Sequence, residues 1–364
     1  MNPVRILEAS EDYERFGINP KKVEPWEDGR RDNFEPHHFE WWYFDAVLDD
    51  GTVVVVQFMP RSGKSIFGKK TGPAVVKFTV TTPDGRKHFW EPAFKLNETH
   101  YSTDRCDVQY GPHYMRGDLT DYQIHMEPVN GMGVDFRLHS TTTPWRPGTS
   151  YFRFGSDDKY YTWLCVVPRG EVTGTLTMDG KQKEVHGFGY HDHQWGSEIF
   201  HLLFNNWVWA RQKYDDYSLL IFDMVSRDEY GRERFPLAFL QDKDGNIIFE
   251  SSHNVSCLVL DTCTDKASDK IYPKDIRYVF ENGGKRLEYT LKQKSVIESI
   301  GKHTLNFLQR QVLRIMKMDA THARYFGEGQ MKYSDGSTEI NRNAELIYEF
   351  MYPGDSCLEY MQTK

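Results

Sequence analysis

Residues 41–59 read Trp41-Trp-Tyr-Phe-Asp-Ala-Val-Leu48, Asp49-Asp50-Gly51, Thr52-Val-Val-Val-Val-Gln-Phe-Met59. Aromatic and β-branched side chains suit a pleated, half-buried surface. The Asp-Gly pair supplies the positive-φ position that a tight antiparallel connection needs. The stretch therefore predicts a β-hairpin. The same grammar recurs at residues 75–81 and 87–90 around Pro83-Asp84-Gly85. Further strands are predicted over 114–117, 122–127, 133–140, 161–168 and 171–178, and the turn Asp179-Gly180 follows. Many short strands with regular turns indicate a sandwich or barrel.

The rhythm then restarts, with strands expected at 206–212, 218–226, 234–241, 247–249, 253–261, 275–281, 286–292, 327–333 and 344–351. At 364 residues the chain exceeds the size at which one core stays single. The expected organisation is an N-terminal arm (1–36, interrupted by Pro20, Pro25 and Pro36), a first β unit (37–200) and a second (201–364). One helix is expected over 305–318, where Leu305, Leu308, Val312, Ile315 and Met316 recur at spacings of three and four. It reads as a surface helix closing one barrel, with a lid or membrane-contact role as the alternative.

A formal charge of -8 offers no basic stripe, so nucleic acid is not an expected partner. No run is long and apolar enough for a signal peptide or a membrane span. Five cysteines without CxxC spacing read as reduced thiols, and the expected location is the cytoplasm. The aromatic share of 15% suits strands and apolar ligand pockets alike.

The densest chemistry lies in Gly187-Phe-Gly-Tyr-His-Asp-His-Gln-Trp-Gly196. Alternation on an extended chain puts His191, His193 and Trp195 on one face and Tyr190, Asp192 and Gln194 on the other. The glycines leave room for a close approach, which suggests a pocket wall. Either face joins proton-transfer groups to a π surface. The histidines otherwise only hydrogen-bond rim carbonyls and fix a turn. His191-x-His193 followed by Glu198 has the look of a cupin metal run, but Val185 stands where the cupin glycine belongs and no later block follows. No metal is expected.

A second run, from His37 to Asp45, divides into Glu40, Trp42 and Phe44 on one face and Trp41, Tyr43 and Asp45 on the other. A carboxylate among aromatics becomes a proton donor, or it is simply paired and packed. Trp207, Trp209 and Arg211 share a face of the next strand. Asp223 interrupts the apolar run 219–225, and Arg211 is its expected structural partner, with a pocket acid as the other reading. There is no GxSxG elbow, no Walker loop and no dinucleotide fingerprint, so no cofactor is expected.

Glu40-Trp-Trp-Tyr-Phe44, the Gly187–Gly196 block and Trp207-x-Trp209-Ala210-Arg211 resemble the tandem lipocalin-like family. That family holds carotenoid 1,2-hydratase, the AttH-like proteins and decalin-forming Diels–Alderases. The resemblance implies an all-β fold of two lipocalin-like (calycin-type) barrels with a ligand pocket at their junction, an apolar unsaturated substrate and no organic cofactor. His193 and Trp195 match a histidine–tryptophan pair of the hydratases, and Asp223 falls near a later aspartate, with Ile221 where a tyrosine belongs. His193, Asp192, Asp223 and Trp195 are thus the candidate catalytic residues. Trp41, Tyr43, Asp45, Tyr190, His191, Trp207, Trp209 and Arg211 are the candidate substrate-binding ones. The expected function is a cofactor-independent cyclase or hydratase acting on an isoprenoid, polyene or polyketide. A non-catalytic lipid- or terpenoid-binding carrier is the alternative, and on either reading a monomer or homodimer is expected.

Overall fold

A computed structural model describes residues 4–33, 35, 37–61, 73–155, 159–198, 200–315 and 321–354. The opening hairpin forms as its sequence dictates. Phe39–Leu48 pairs antiparallel with Val53–Met59, in register Val47↔Val53. Gly51 takes φ 85° at the turn and donates its N–H to the Leu48 carbonyl at 2.8 Å, while Asp50 Oδ1 accepts from Thr52 N at 2.9 Å. A side chain at that positive φ would be strained, so the turn residue and the fold agree.

Contacts divide the chain into one unit spanning residues 5–199 and another holding residues 200–364 together with the first four. Each unit is one curled antiparallel sheet of the lipocalin-like type. In the first, Phe39–Leu48 is hydrogen-bonded to Val53–Met59 on one side and to Lys181–Gly196, the last strand of the unit, on the other. The second repeats the plan: its first strand, Phe204–Lys213, lies between Tyr217–Ser226 and the final strand Glu339–Met351. First-to-last pairing curls each meander around its own apolar core. Trp42, Phe44, Ala46 and Leu48 face the first core, and Val208, Ala210, Leu219 and Ile221 the second. Each large apolar side chain so buried contributes about 1.5–3 kcal/mol.

Two features depart from the sequence pattern. Pro168-Arg169-Gly170 does not end a strand; Tyr160–Met178 runs through it, with register shifts around Val167 that absorb the proline. The first 36 residues are more than a surface arm. Arg5–Ile6 pairs with Tyr151–Arg153, and the short 3-10 turn Pro25–Asp28 buries Glu27 and Asp28.

The expected helix forms at Phe307–Ile315, with residues 316–318 of the expected span outside the described residues. Its Leu308 is 75% exposed, so that position of the expected apolar face is not packed. Among the described residues no helix is long and apolar enough to cross a membrane, and none of the four described cysteines forms a disulfide.

Candidate active site

The Gly187–Gly196 run lies wholly inside the strand Lys181–Gly196 and pairs with Phe39–Leu48, so the two dense motifs of the sequence lie side by side. The register sets His191 against Phe44, His193 against Trp42 and Trp195 against Glu40. Residues opposite one another share a face. The glycines serve this pairing rather than a ligand. A side chain at Gly187 would meet the Val47 carbonyl, and one at Gly189 would meet Val172 and Asp45, so neighbouring strands fill the space that looked like a pocket wall.

On the core-facing side, His191 and His193 are 0% exposed. His193 is stacked on Trp42 at 4.7 Å and lies 4.7 Å from Trp195. Its Nε2 is 2.9 Å from Glu40 Oε1, and its Nδ1 is 3.3 Å from the Glu27 carbonyl. His191 Nδ1 is 2.8 Å from the Tyr43 carbonyl and Nε2 is 3.1 Å from Asp28 Oδ2, an oxygen that also accepts the Tyr122 hydroxyl at 2.6 Å. The Asp28 carbonyl takes the Trp42 indole N–H at 2.8 Å. Glu27 is held in turn by Arg146, 2.7 Å away. Both histidines therefore find partners on the N-terminal turn, which no local pattern in the sequence signals.

Burial pushes the Glu40 carboxyl up to about 8, against the pull of backbone N–H donors from Arg31 and Asp32. Burial also drives His193 down to about 3. The pair is thus neutral near pH 7. Protonated Glu40 donates to His193 Nε2, and Nδ1–H donates to the Glu27 carbonyl, the tautomer that these acceptors require. For His191, burial also disfavours the charge, but the Asp28 carboxylate and the Tyr43 carbonyl outweigh it and raise the group above the ordinary value. One histidine is thus held toward its charged form, while its neighbour two positions on is neutral.

The opposite face carries Tyr190, Asp192 and Gln194, paired across the ladder with Asp45, Tyr43 and Trp41. Asp192 is 3% exposed. Its Oδ2 accepts three donors: the Tyr190 hydroxyl at 2.8 Å, the Gln194 amide at 3.0 Å and the Trp163 indole N–H at 3.2 Å. Its Oδ1 is buried and has no hydrogen-bond partner. Burial raises this carboxyl to about 6, against those donors and the charge of His191. With Oδ2 saturated by donors, the proton of the acid form sits on Oδ1. Aromatic rings crowd the same face. Tyr43 meets Tyr190 edge-on at 6.2 Å, Phe39 stacks on Trp41 at 4.8 Å, and Trp163 meets Trp145 at 5.8 Å.

Within the first unit the candidate catalytic residues divide between the two faces of the sheet: His193 and Trp195 face the core and Asp192 faces away from it, while Asp223 belongs to the second unit. Asp223 is 1% exposed, and its partner is not Arg211. Val208 stands opposite Asp223 in the ladder, which turns Arg211 to the other face, over the Trp209 ring at 5.5 Å. Arg234 instead grips both carboxylate oxygens, with Nε 2.8 Å from Oδ1, and the Tyr278 hydroxyl adds a bond of 2.9 Å. Trp207, Trp209 and Arg211 do share a face, away from the core residues Val208 and Ala210.

The cupin-like reading fails on geometry. Each histidine is bonded to its own carboxylate, and Glu198 lies beyond the end of the strand. Asp28, Cys106 and His191 form a buried cluster in which His191 Nε2 lies 3.1 Å from Asp28 Oδ2.

The comparisons with known proteins agree with this architecture. A family model described as AttH-like matches residues 25–295. The quinolone epoxide rearrangement protein asqO of Emericella nidulans is 25% identical over 240 residues, which cover 61% of this chain and 62% of that protein. The chain thus spans about three fifths of the length of that relative. A putative AttH from Nitrosomonas europaea superposes with a TM-score of 0.60 at 16% identity, covering 92% of this chain and 97% of that one. Kievitone hydratase from Nectria haematococca superposes with a TM-score of 0.53 at 14% identity, with the same coverage of 92% and 97%.

Proposed function

The chain belongs to the AttH-like family, and on that footing we propose that it is a cofactor-independent enzyme of hydratase or cyclase type, with Asp192 as its acid. The proposed substrate is a small, apolar, unsaturated molecule: an isoprenoid, a polyene or a polyketide. One observation carries the reading. A buried carboxyl has one oxygen saturated by three donors and the other left without a partner, among aromatic rings.

The chemistry follows from that geometry. The Oδ1 proton passes to an alkene carbon, or to a carbonyl or epoxide oxygen, and Tyr190, Gln194 and Trp163 stabilise the carboxylate left behind. The faces of Tyr43 and Trp163 hold the developing positive charge. If water captures the cation, its surplus proton returns to Asp192, and the net reaction is hydration. If an internal double bond captures it, a C–H proton returns instead, and the net reaction is cyclisation or rearrangement. The names of the relatives, an epoxide rearrangement protein and a hydratase, support these two outcomes. Trp195 and His193 act on the far side of the sheet, as core and as anchor for the N-terminal turn.

The test is Asp192→Asn, which keeps the shape and the capacity to accept the three donors but has no acidic proton. In deuterated buffer, with a panel of polyenes, prenylated phenols and epoxides, the native protein is expected to give a product carrying solvent deuterium. Asp192→Asn should lower that turnover by about 10²–10⁴-fold. Turnover that survives the substitution overturns the assignment. A panel that binds without turnover in the native protein favours a carrier instead.

A further inference from the structure

We propose that Asp28, on the N-terminal turn, is a positioning residue for Asp192: it holds His191 as a doubly donating imidazolium behind the acid, on the other face of the same strand. This rests on the reading of Asp192 as the acid. His191 and Asp192 are consecutive in an extended strand, so their side chains leave opposite faces with only the backbone between them.

The charge of His191 follows from its partners. A backbone carbonyl only accepts, so the contact at 2.8 Å with Tyr43 puts a proton on Nδ1. Tyr122 receives the Leu119 N–H at 3.2 Å, which turns its own hydroxyl proton toward Asp28 Oδ2. With Asp28 as the carboxylate that raises His191, Oδ2 accepts from both neighbours, and Nε2, 3.1 Å from it, carries a proton as well. The other titratable groups facing His191 are Cys106 from the segment before the strand Asp107–Tyr110 and His193 on its own strand, with Tyr122 contributed by the strand Asp121–Val129. Those facing Asp192 are Tyr190 on its own strand, Tyr43 and Cys165 opposite it in the ladder, and Tyr161 from the strand Tyr160–Met178.

A fixed cation behind a buried acid favours its carboxylate and offsets part of the burial penalty, in agreement with the influence of His191 on Asp192. Without it the acid gives up its proton less readily. The N-terminal turn, remote in sequence, thereby sets the strength of an acid that it does not touch.

The experiment uses the full chain with ¹³C-carboxyl aspartate and ¹⁵N-histidine, with the Asp192 signal assigned by its loss in Asp192→Asn. Native protein, Asp28→Asn and His191→Gln are titrated in parallel. The Asp192 midpoint is expected to rise by roughly one pH unit in both variants, while the His191 ring in Asp28→Asn changes from the doubly protonated to the neutral signature. A purely structural role for Asp28 would lower the unfolding midpoint and leave the titration alone. An Asp192 midpoint unchanged in Asp28→Asn, with His191 already neutral, overturns the proposal. If Asp28→Asn does not fold, an unchanged midpoint in His191→Gln overturns it equally. A native midpoint near 4 instead refutes the acid reading itself, so the two failures are distinct.

Discussion

Glu40→Gln isolates the neutral Glu40–His193 pair. In the native fold, Oε1 lies 2.6 Å from Arg31 N and 2.9 Å from His193 Nε2, while Oε2 lies 3.2 Å from Asp32 N. A protonated carboxyl serves all three, but an amide must turn its NH₂ against one backbone N–H. That conflict costs about 1–3 kcal/mol at any pH. The pH dependence separates the two proteins. Burial raises folded Glu40 to about 8 from an ordinary 4.5. Between those values the unfolded chain has released the proton while the folded chain keeps it, so native stability falls as pH rises, by about 1.4 kcal/mol per unit.

The variant lacks that slope, and the His193 contribution is common to both proteins and cancels. From about pH 5.5 to about 7.5 the native protein should therefore lose roughly 3 kcal/mol relative to Glu40→Gln. The stability gap narrows and then reverses. Urea unfolding followed by tryptophan fluorescence is the assay, because Trp26, Trp41, Trp42, Trp90, Trp145, Trp163 and Trp195 all lie in the first unit. A gap that stays constant over this range would mean that Glu40 is ionised in the fold, and the neutral pair would be refuted.

Asp223→Asn leaves Arg234 buried without its carboxylate and should destabilise the second unit by about 3–5 kcal/mol, read as a lower unfolding midpoint. The substrate turnover of the remaining folded protein should be unaffected, and a selective loss of turnover would reinstate Asp223 as an acid. Gly187→Ala forces a methyl against the Val47 carbonyl and should cost about 1–3 kcal/mol, visible as faster amide exchange along residues 181–196. An unaltered exchange pattern would show that the two strands part without cost.

Local physics made part of this protein legible. Asp49-Asp50-Gly51 and Pro83-Asp84-Gly85 announced their hairpins because turn chemistry is decided within a few residues. Alternation sorted His191, His193 and Trp195 from Tyr190, Asp192 and Gln194 because a strand has a fixed period of two. What stayed hidden was long-range. Asp28 and Glu27 come from a proline-rich segment more than 150 residues from the histidines they hold. Arg211 looked like the partner of Asp223 because it lay on the preceding strand. Register, set by pairing across the whole sheet, chose Arg234 from the following strand. Pro168 looked like a strand break because a bulge leaves no mark in composition.

The assignment of Asp192 as the acid is tested most directly by its carboxyl titration in the native protein, followed by ¹³C chemical shift and identified by its absence in Asp192→Asn. Since burial raises the folded group to about 6, the sign is fixed: the acid form is populated below that pH and lost above it. The account predicts a single midpoint near 6, with turnover falling as pH rises through the same range. A midpoint at or below the ordinary 3.8, leaving a carboxylate at every pH where the protein works, would contradict it.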